Sequence, residues 1–137
     1  MTVRQEVLLV ALAAPLVAAA GVWSRLLPQT LTVPVWYLLV AAPVWEELFF
    51  RRVLHQRLQQ QAWSSRRLIS FSLATWIVGV VFVLAHLPFQ GMHALLVLLP
   101  ALVLGRLFER TDQVLYCMAV HSWFNFCWLA AIRVTAG

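Results

Sequence analysis

The chain has no lysine at all, and little charge of any kind. Its ten basic residues are all arginine, its acidic residues number five, and charged residues make up 11% of the 137 positions. A soluble domain carries about 25%, so the shortage excludes an ordinary soluble enzyme and leaves a chain that lives in lipid. Cysteine is nearly absent too. Cys117 and Cys127 are the only two, and ten residues along a helix is about 15 Å, too far for a disulfide. With no CxxC spacing to suggest a zinc pair, both read as small apolar packing residues. Nor is there an HExxH, the local signature of common zinc proteases. No internal repeat and no low-complexity segment appears.

What the chain has instead is apolar length. Hydrophobic residues make up 63%, with a mean hydropathy of +0.84. The fold class expected is all-α, a polytopic transmembrane helix bundle formed as a single domain over residues 1–137. Five spans are expected, at 6–27, 33–50, 68–87, 92–108 and 114–134. The run Ala18-Ala19-Ala20-Gly21 has the look of a signal-peptidase site, but the apolar stretch continues through Val22, Trp23, Leu26 and Leu27, so a retained anchor is expected.

The net charge of +5 does not point to nucleic acid, because the arginines lie between apolar runs. The positive-inside rule accounts for them. With the N-terminus cytoplasmic, the inner segments hold Arg4, Arg51, Arg52, Arg57, Arg66, Arg67, Arg106 and Arg110, and the outer segments only Arg25 and Arg133. The segment 51–67 is expected to extend the second helix and then lie at the membrane surface, using Leu54, Leu58 and Trp63. Arg106, Arg110 and Asp112 mark a second polar loop. The partners expected are the lipid bilayer and a membrane-anchored protein or peptide, not nucleic acid.

The polar residues that remain inside apolar runs are the informative ones, since intramembrane ionisable groups are costly and read as functional by default. Glu46 and Glu47 are adjacent in the second span. Arg51, four residues after Glu47, shares its helical face and can pair with it. Glu46 then points about 100° away. His86 closes the third span. His121 and Asn125 lie four apart, on one face of the fifth. His55 in the basic segment and His93 at the start of the fourth span are assigned no role. Membrane helices also use His and Asn simply to hold one another, and a carboxylate pair alone would suit a proton or cation site. Two carboxylates, two imidazoles and an amide arriving from three helices suit hydrolysis. Glu46 would act as general base on a water, His86 would hold that water or share its proton, and His121 and Asn125 would donate to the oxyanion. Glu47 and Arg51 would be supporting. The alternative for the same residues is zinc held by Glu46, His86 and His121. A different class of function, a non-catalytic immunity-type scaffold or an ion- or proton-coupled carrier, also accommodates an intramembrane carboxylate pair. Trp45 and Trp123 adjoin these residues and are candidates to shape the site.

Glu46-Glu47-Leu48-Phe49-Phe50-Arg51 resembles the EExxxR motif of the CAAX protease and bacteriocin-processing (CPBP, or Abi) family. Phe82-Val83-Leu84-Ala85-His86 resembles its FxxxH motif, and His121-Ser122-Trp123-Phe124-Asn125 its HxxxN motif. The three fall in order on separate apolar runs within residues 46–125. The resemblance implies an intramembrane endopeptidase of the glutamic type, without a metal cofactor, acting near the C-terminus of a lipidated or sorting-tail protein. By motif position it makes Glu46 the base, His86 its assistant, and His121 with Asn125 the oxyanion site. The chain is shorter than the CAAX enzymes, so recognition of a prenyl group does not carry over, and a prokaryotic plasma membrane is expected. Counting along the spans, however, puts His86 near the outer face and Glu46 and His121 nearer the inner one, an axial offset of up to about 10 Å.

Overall fold

A computed structural model describes residues 1–28 and 30–136. Helix α1 is Val3–Trp23. Thr2 starts it with a reciprocal cap, in which its hydroxyl accepts from the Gln5 amide and the Gln5 side chain accepts from the Thr2 amide, satisfying two otherwise orphaned donors. Helix α2 is continuous over 37–59 but changes pitch. Tyr37–Ala41 and Leu48–His55 are π-helical, while Ala42–Glu47 and Gln56–Gln59 are α-helical. A short antiparallel pair, β1 (Arg67–Leu68) and β2 (Phe71–Ser72), follows. Helix α3 is Leu73–Gln90, a 3₁₀ segment covers Gly91–Val97, α4 is Leu98–Thr111, and α5 is Val114–Ala136.

The bundle is all-α apart from that hairpin, and its helices alternate in direction. An added Cβ at Gly79 would meet Leu98 and Leu102, and one at Gly105 would meet Thr75, so α3 and α4 run antiparallel. Phe50 packs on Phe82 while Glu46 faces His86, so α2 and α3 do likewise. The α1–α5 contact has small residues at its centre, with Ala14, Ala18 and Val22 against Cys127, Ala131 and Ile132 and with Leu27, Phe124 and Trp128 packed around them. Small side chains let membrane helices approach closely. Both cysteines are buried and free.

Several boundaries differ from those expected. The third apolar run does not begin at 68. Residues 67–72 form the hairpin, and Ser72 starts α3 by accepting from the Thr75 amide. Residues 51–59 extend the second helix as expected, with Arg52, Val53, Arg57 and Gln59 exposed and the opposite face buried. Arg51 and His55 are wholly buried in α2, and Leu54 and Leu58 pack on the cluster of Phe50, Val78, Phe82 and Ala101. Arg106 and Arg110 are helical, in α4, and both pair with Glu6 of α1. Among the described residues three stretches are long and apolar enough to cross a membrane: Val3–Trp23, Leu73–Thr111 and Val114–Thr135. The second folds back at Gly91–Val97, so the crossings number three to four rather than five. The segment expected as the second span, 33–50, carries Glu46 and Glu47 and is followed at once by Arg51 and Arg52, and it is not among those three stretches.

Of the prolines within the helices, Pro15 and Pro43 free carbonyls that α5 satisfies. Pro15 lacks an N–H, which frees the Ala11 carbonyl, and the Trp123 indole donates to it at 3.0 Å. Trp123, expected beside the site, is thus bound to α1. Pro43 stands four residues after Leu39 and five after Leu38, so neither an α- nor a π-type bond from position 43 can reach those carbonyls. Ser122 Oγ donates to Leu39 O at 2.7 Å, and Asn125 Nδ2 donates to Leu38 O at 2.8 Å.

Gly79 is one of two close approaches of α3 and α4, with a Cβ there meeting Leu98 Cδ1 at 3.0 Å and Leu102 Cδ2 at 3.3 Å. Gly79→Val should destabilise the protein by about 1–3 kcal/mol through overpacking, measured as reduced thermal stability in detergent. An unchanged melting temperature would show the contact to be looser than described.

Candidate functional site

Glu47 is the centre of the site's charge. It is completely buried, and its two carboxylate oxygens have different partners. Arg51 Nε donates to Oε2 at 2.8 Å, the (i, i+4) pairing the sequence suggested. His121 Nδ1 lies 2.8 Å from Oε1. Arg51 is also completely buried, and its Nη2 donates to the Ala101 carbonyl at 3.2 Å, which ties α2 to α4. One carboxylate therefore joins α2 to α5 and, through Arg51, to α4.

Glu46 faces a different way, as its helical position requires. Its side chain is a quarter exposed. Oε2 itself is buried and has no hydrogen-bond partner within the protein. His86 Nε2 is 3.8 Å from that oxygen and His121 Nε2 is 3.7 Å from it. The three expected site residues on α2, α3 and α5 thus meet at one atom. The axial offset of His86 does not exist. Because α3 begins at Leu73 rather than 68, its last turns lie deeper in the bundle than span counting gave.

The tautomers follow from the partners. His86 Nδ1 is 2.8 Å from the Phe82 carbonyl. A carbonyl only accepts, so Nδ1 carries the proton and Nε2 presents a lone pair. The Phe82 ring also stacks on His86, with centroids 4.3 Å apart, so the Phe of the FxxxH pattern orients the imidazole by backbone and ring together. His121 is fixed in the same way. Glu47, engaged by Arg51, accepts from Nδ1, which leaves Nε2 as an acceptor in the neutral ring. Two imidazole lone pairs and a carboxylate oxygen converge. Such an arrangement is satisfied by a shared proton or by a water that donates to these atoms.

Asn125 sits one turn beyond His121, and its amide nitrogen donates to Leu38 O. The structure therefore gives it a helix-docking bond, with one further N–H on the same nitrogen. Neutral His121 has no N–H left for an oxyanion, so the donor role expected of it requires a second proton, on Nε2. Trp45 is mostly exposed, on the outer face of α2. His93 is exposed. Zinc ligation needs donors about 2.0–2.2 Å from a common point. Among the described residues no group of three or more His, Cys, Asp or Glu is disposed to hold a metal ion, so no step below runs through one.

Sequence reasoning missed a second buried polar cluster. His55 Nε2 lies 3.0 Å from Glu109 Oε1, the oxygen that also accepts from Thr75 Oγ1 at 2.7 Å and from Ser72 Oγ. The signal was present in the spacing. Glu47, Arg51 and His55 succeed one another at intervals of four on one helix.

Breaking the Glu47–Arg51 pair strands a buried charge. Arg51→Leu should cost about 3–5 kcal/mol, and adding Glu47→Gln should recover part of it, both read from unfolding in detergent. Equal stability of Arg51→Leu and wild type would mean that Glu47 is held by His121 alone.

The comparisons with known proteins agree with the motif resemblance. Residues 28–127 match the family model described as type II CAAX prenyl endopeptidase Rce1-like. Searches of curated proteins and of solved structures give no match.

Proposed function

The chain belongs to the Rce1-like type II CAAX prenyl endopeptidase family, a multi-pass membrane family of CAAX-type endopeptidases, and from that premise we propose that it is a glutamic intramembrane protease. The observation that carries the proposal is the convergence of His86 Nε2 and His121 Nε2 on the buried, unpartnered Oε2 of Glu46. That is an acceptor set able to take a proton from one water and keep it until a leaving group needs it.

A water between Glu46 and His86 loses a proton to Glu46 while its oxygen bonds to the scissile carbonyl carbon. The carbonyl π pair moves to oxygen. The resulting oxyanion is met by the remaining Asn125 N–H and by His121 when a second proton sits on its Nε2. As the C–N bond breaks, the proton held by Glu46 passes to the departing amine. Glu47 orients His121 through Nδ1, and Arg51 holds Glu47. The substrate is a membrane-anchored protein cut near its C-terminus, which reaches Glu46 along the partly exposed side of α2. The arginines grouped at the end of the bundle where α4 meets α1 set the N-terminus on the cytoplasmic side.

A pooled library of membrane-tethered C-terminal peptides, prenylated and unprenylated, should be cleaved by the purified protein. Cleavage should vanish with Glu46→Ala and survive a chelator. Loss with chelator would replace the proposal by the zinc version, and cleavage that persists in Glu46→Ala would refute the base. Asn125→Ala, if folded, should lower kcat by about 10²–10³. A folded Asn125→Ala variant with wild-type kcat would reduce that residue to its bond with Leu38.

A further inference from the structure

We infer that the buried His55–Glu109 pair is a positioning device that sets the helical register of α2 and so aims Glu46, an inference that rests on the protease reading above. His55 is completely buried and closes the π-helical stretch Leu48–His55. Its Nε2 meets Glu109 Oε1 at 3.0 Å. The same oxygen accepts from Thr75 Oγ1 at 2.7 Å and from Ser72 Oγ, so Nε2 must be the donor. Nδ1 is then a buried acceptor without a partner, an arrangement that costs stability. A single carboxylate oxygen on α4 thereby gathers α2 and the start of α3.

The His55 side of the cluster is closely packed. A Cβ at Gly105 would lie 2.9 Å from Thr75 Cγ2, 3.1 Å from Thr75 Oγ1 and 3.3 Å from His55 Cε1, so a glycine is what lets α4 close on it. Phe108 covers the His55 ring at 5.5 Å between centroids. Of the charged groups around the pair, Arg67 lines one open cleft with Ser72 and Glu109. Arg51 lies one turn before His55 and is turned to Glu47 and Ala101 O. Arg106 lies about one turn before Glu109 on α4 and is turned to Glu6 and Ser70 O.

Register matters because π-helix is a strained form that tertiary contacts must hold. Reverting to α-helix removes the extra residue from the turn, and one residue corresponds to about 100° of rotation. If the C-terminal end of the stretch is released, the turns between Glu47 and His55 can rewind, and the Glu47–Arg51 end beside Glu46 must bear that rotation alone. The Glu47–Arg51 pair fixes the near end of the stretch and His55–Glu109 the far end, so the direction of the Glu46 carboxylate is fixed from both sides.

The test uses the full chain in detergent and two readouts. One is kcat and KM on the best-cleaved peptide of the membrane-tethered pool. The other, independent of cleavage, is the rate at which dicyclohexylcarbodiimide modifies Glu46, followed by mass spectrometry. Glu109→Ala should lower kcat about tenfold or more with KM little changed and should shift the Glu46 labelling rate. Glu109→Gln, which keeps an acceptor oxygen, should restore both. Thr75→Val, nearly isosteric and short of one bond, should show the same pattern in smaller measure if Glu109→Ala does not fold. A folded Glu109→Ala or Thr75→Val variant with wild-type labelling and wild-type kcat would overturn the inference, as would a labelling shift without a fall in kcat. Loss of fold in both variants would also overturn it, making the cluster a stability element. If wild type cleaves no peptide, the protease reading fails, and the labelling rates still decide whether His55–Glu109 aims Glu46.

Discussion

A carboxylate buried without exposure to water must be paired on every side, and Glu47 is. Arg51 takes one oxygen and His121 the other. The pairing holds α2 against α5, brings in α4 through the Ala101 carbonyl, and fixes the tautomer of His121. The neighbouring Glu46 is left without a protein partner on its buried oxygen. Removing one partner from such a pair is far more costly than the pair is stabilising, so the arrangement behaves as a constraint. If Glu47 is to stay buried, Arg51 and His121 have no other orientation, and Nε2 of His121 must face Glu46.

The second constraint is backbone chemistry. In lipid, a carbonyl freed by proline has no water to turn to. Pro15 and Pro43 free such carbonyls in α1 and α2, and Trp123, Ser122 and Asn125 of α5 donate to them. Helix α5 is therefore docked by directional bonds as well as by small-residue packing. The same segment, His121 to Asn125, supplies the site's imidazole and the bonds that hold it in place. Precision at Glu46 rests on those bonds.

Much of this was legible in the sequence, for identifiable reasons. Glu46, His86 and His121 stood out because ionisable groups in apolar runs have few explanations, and the structure brings all three to one oxygen. The Glu47–Arg51 pair followed from four-residue spacing. What was not legible depended on where helices start. Placing the third span at 68 raised His86 out of the site, because apolar content cannot distinguish a hairpin ending in an N-cap serine from the first turn of a helix. His55 was assigned no role because it falls in a basic segment, and charge usually marks a surface. The burial of Arg51 and His55 depends on Glu47, on Glu109 and on Gly105, partners brought together only by the fold. The five-span count was too high, since Glu46 and Glu47 interrupt the second segment and Arg51 and Arg52 follow it directly, although its outer face, with Val40, Trp45 and Phe49, is apolar and exposed.

The most direct test is the protonation pattern of His121, read by nitrogen-15 NMR of selectively labelled protein in bicelles, in wild type and in Glu47→Gln. A proton is expected on Nδ1 in wild type, with Nε2 free to exchange one with Glu46, and that preference should be lost when Glu47 is replaced. A wild-type ring protonated only on Nε2 would contradict this picture, because Glu47 would then not orient His121 and the acceptor set around Glu46 would not exist.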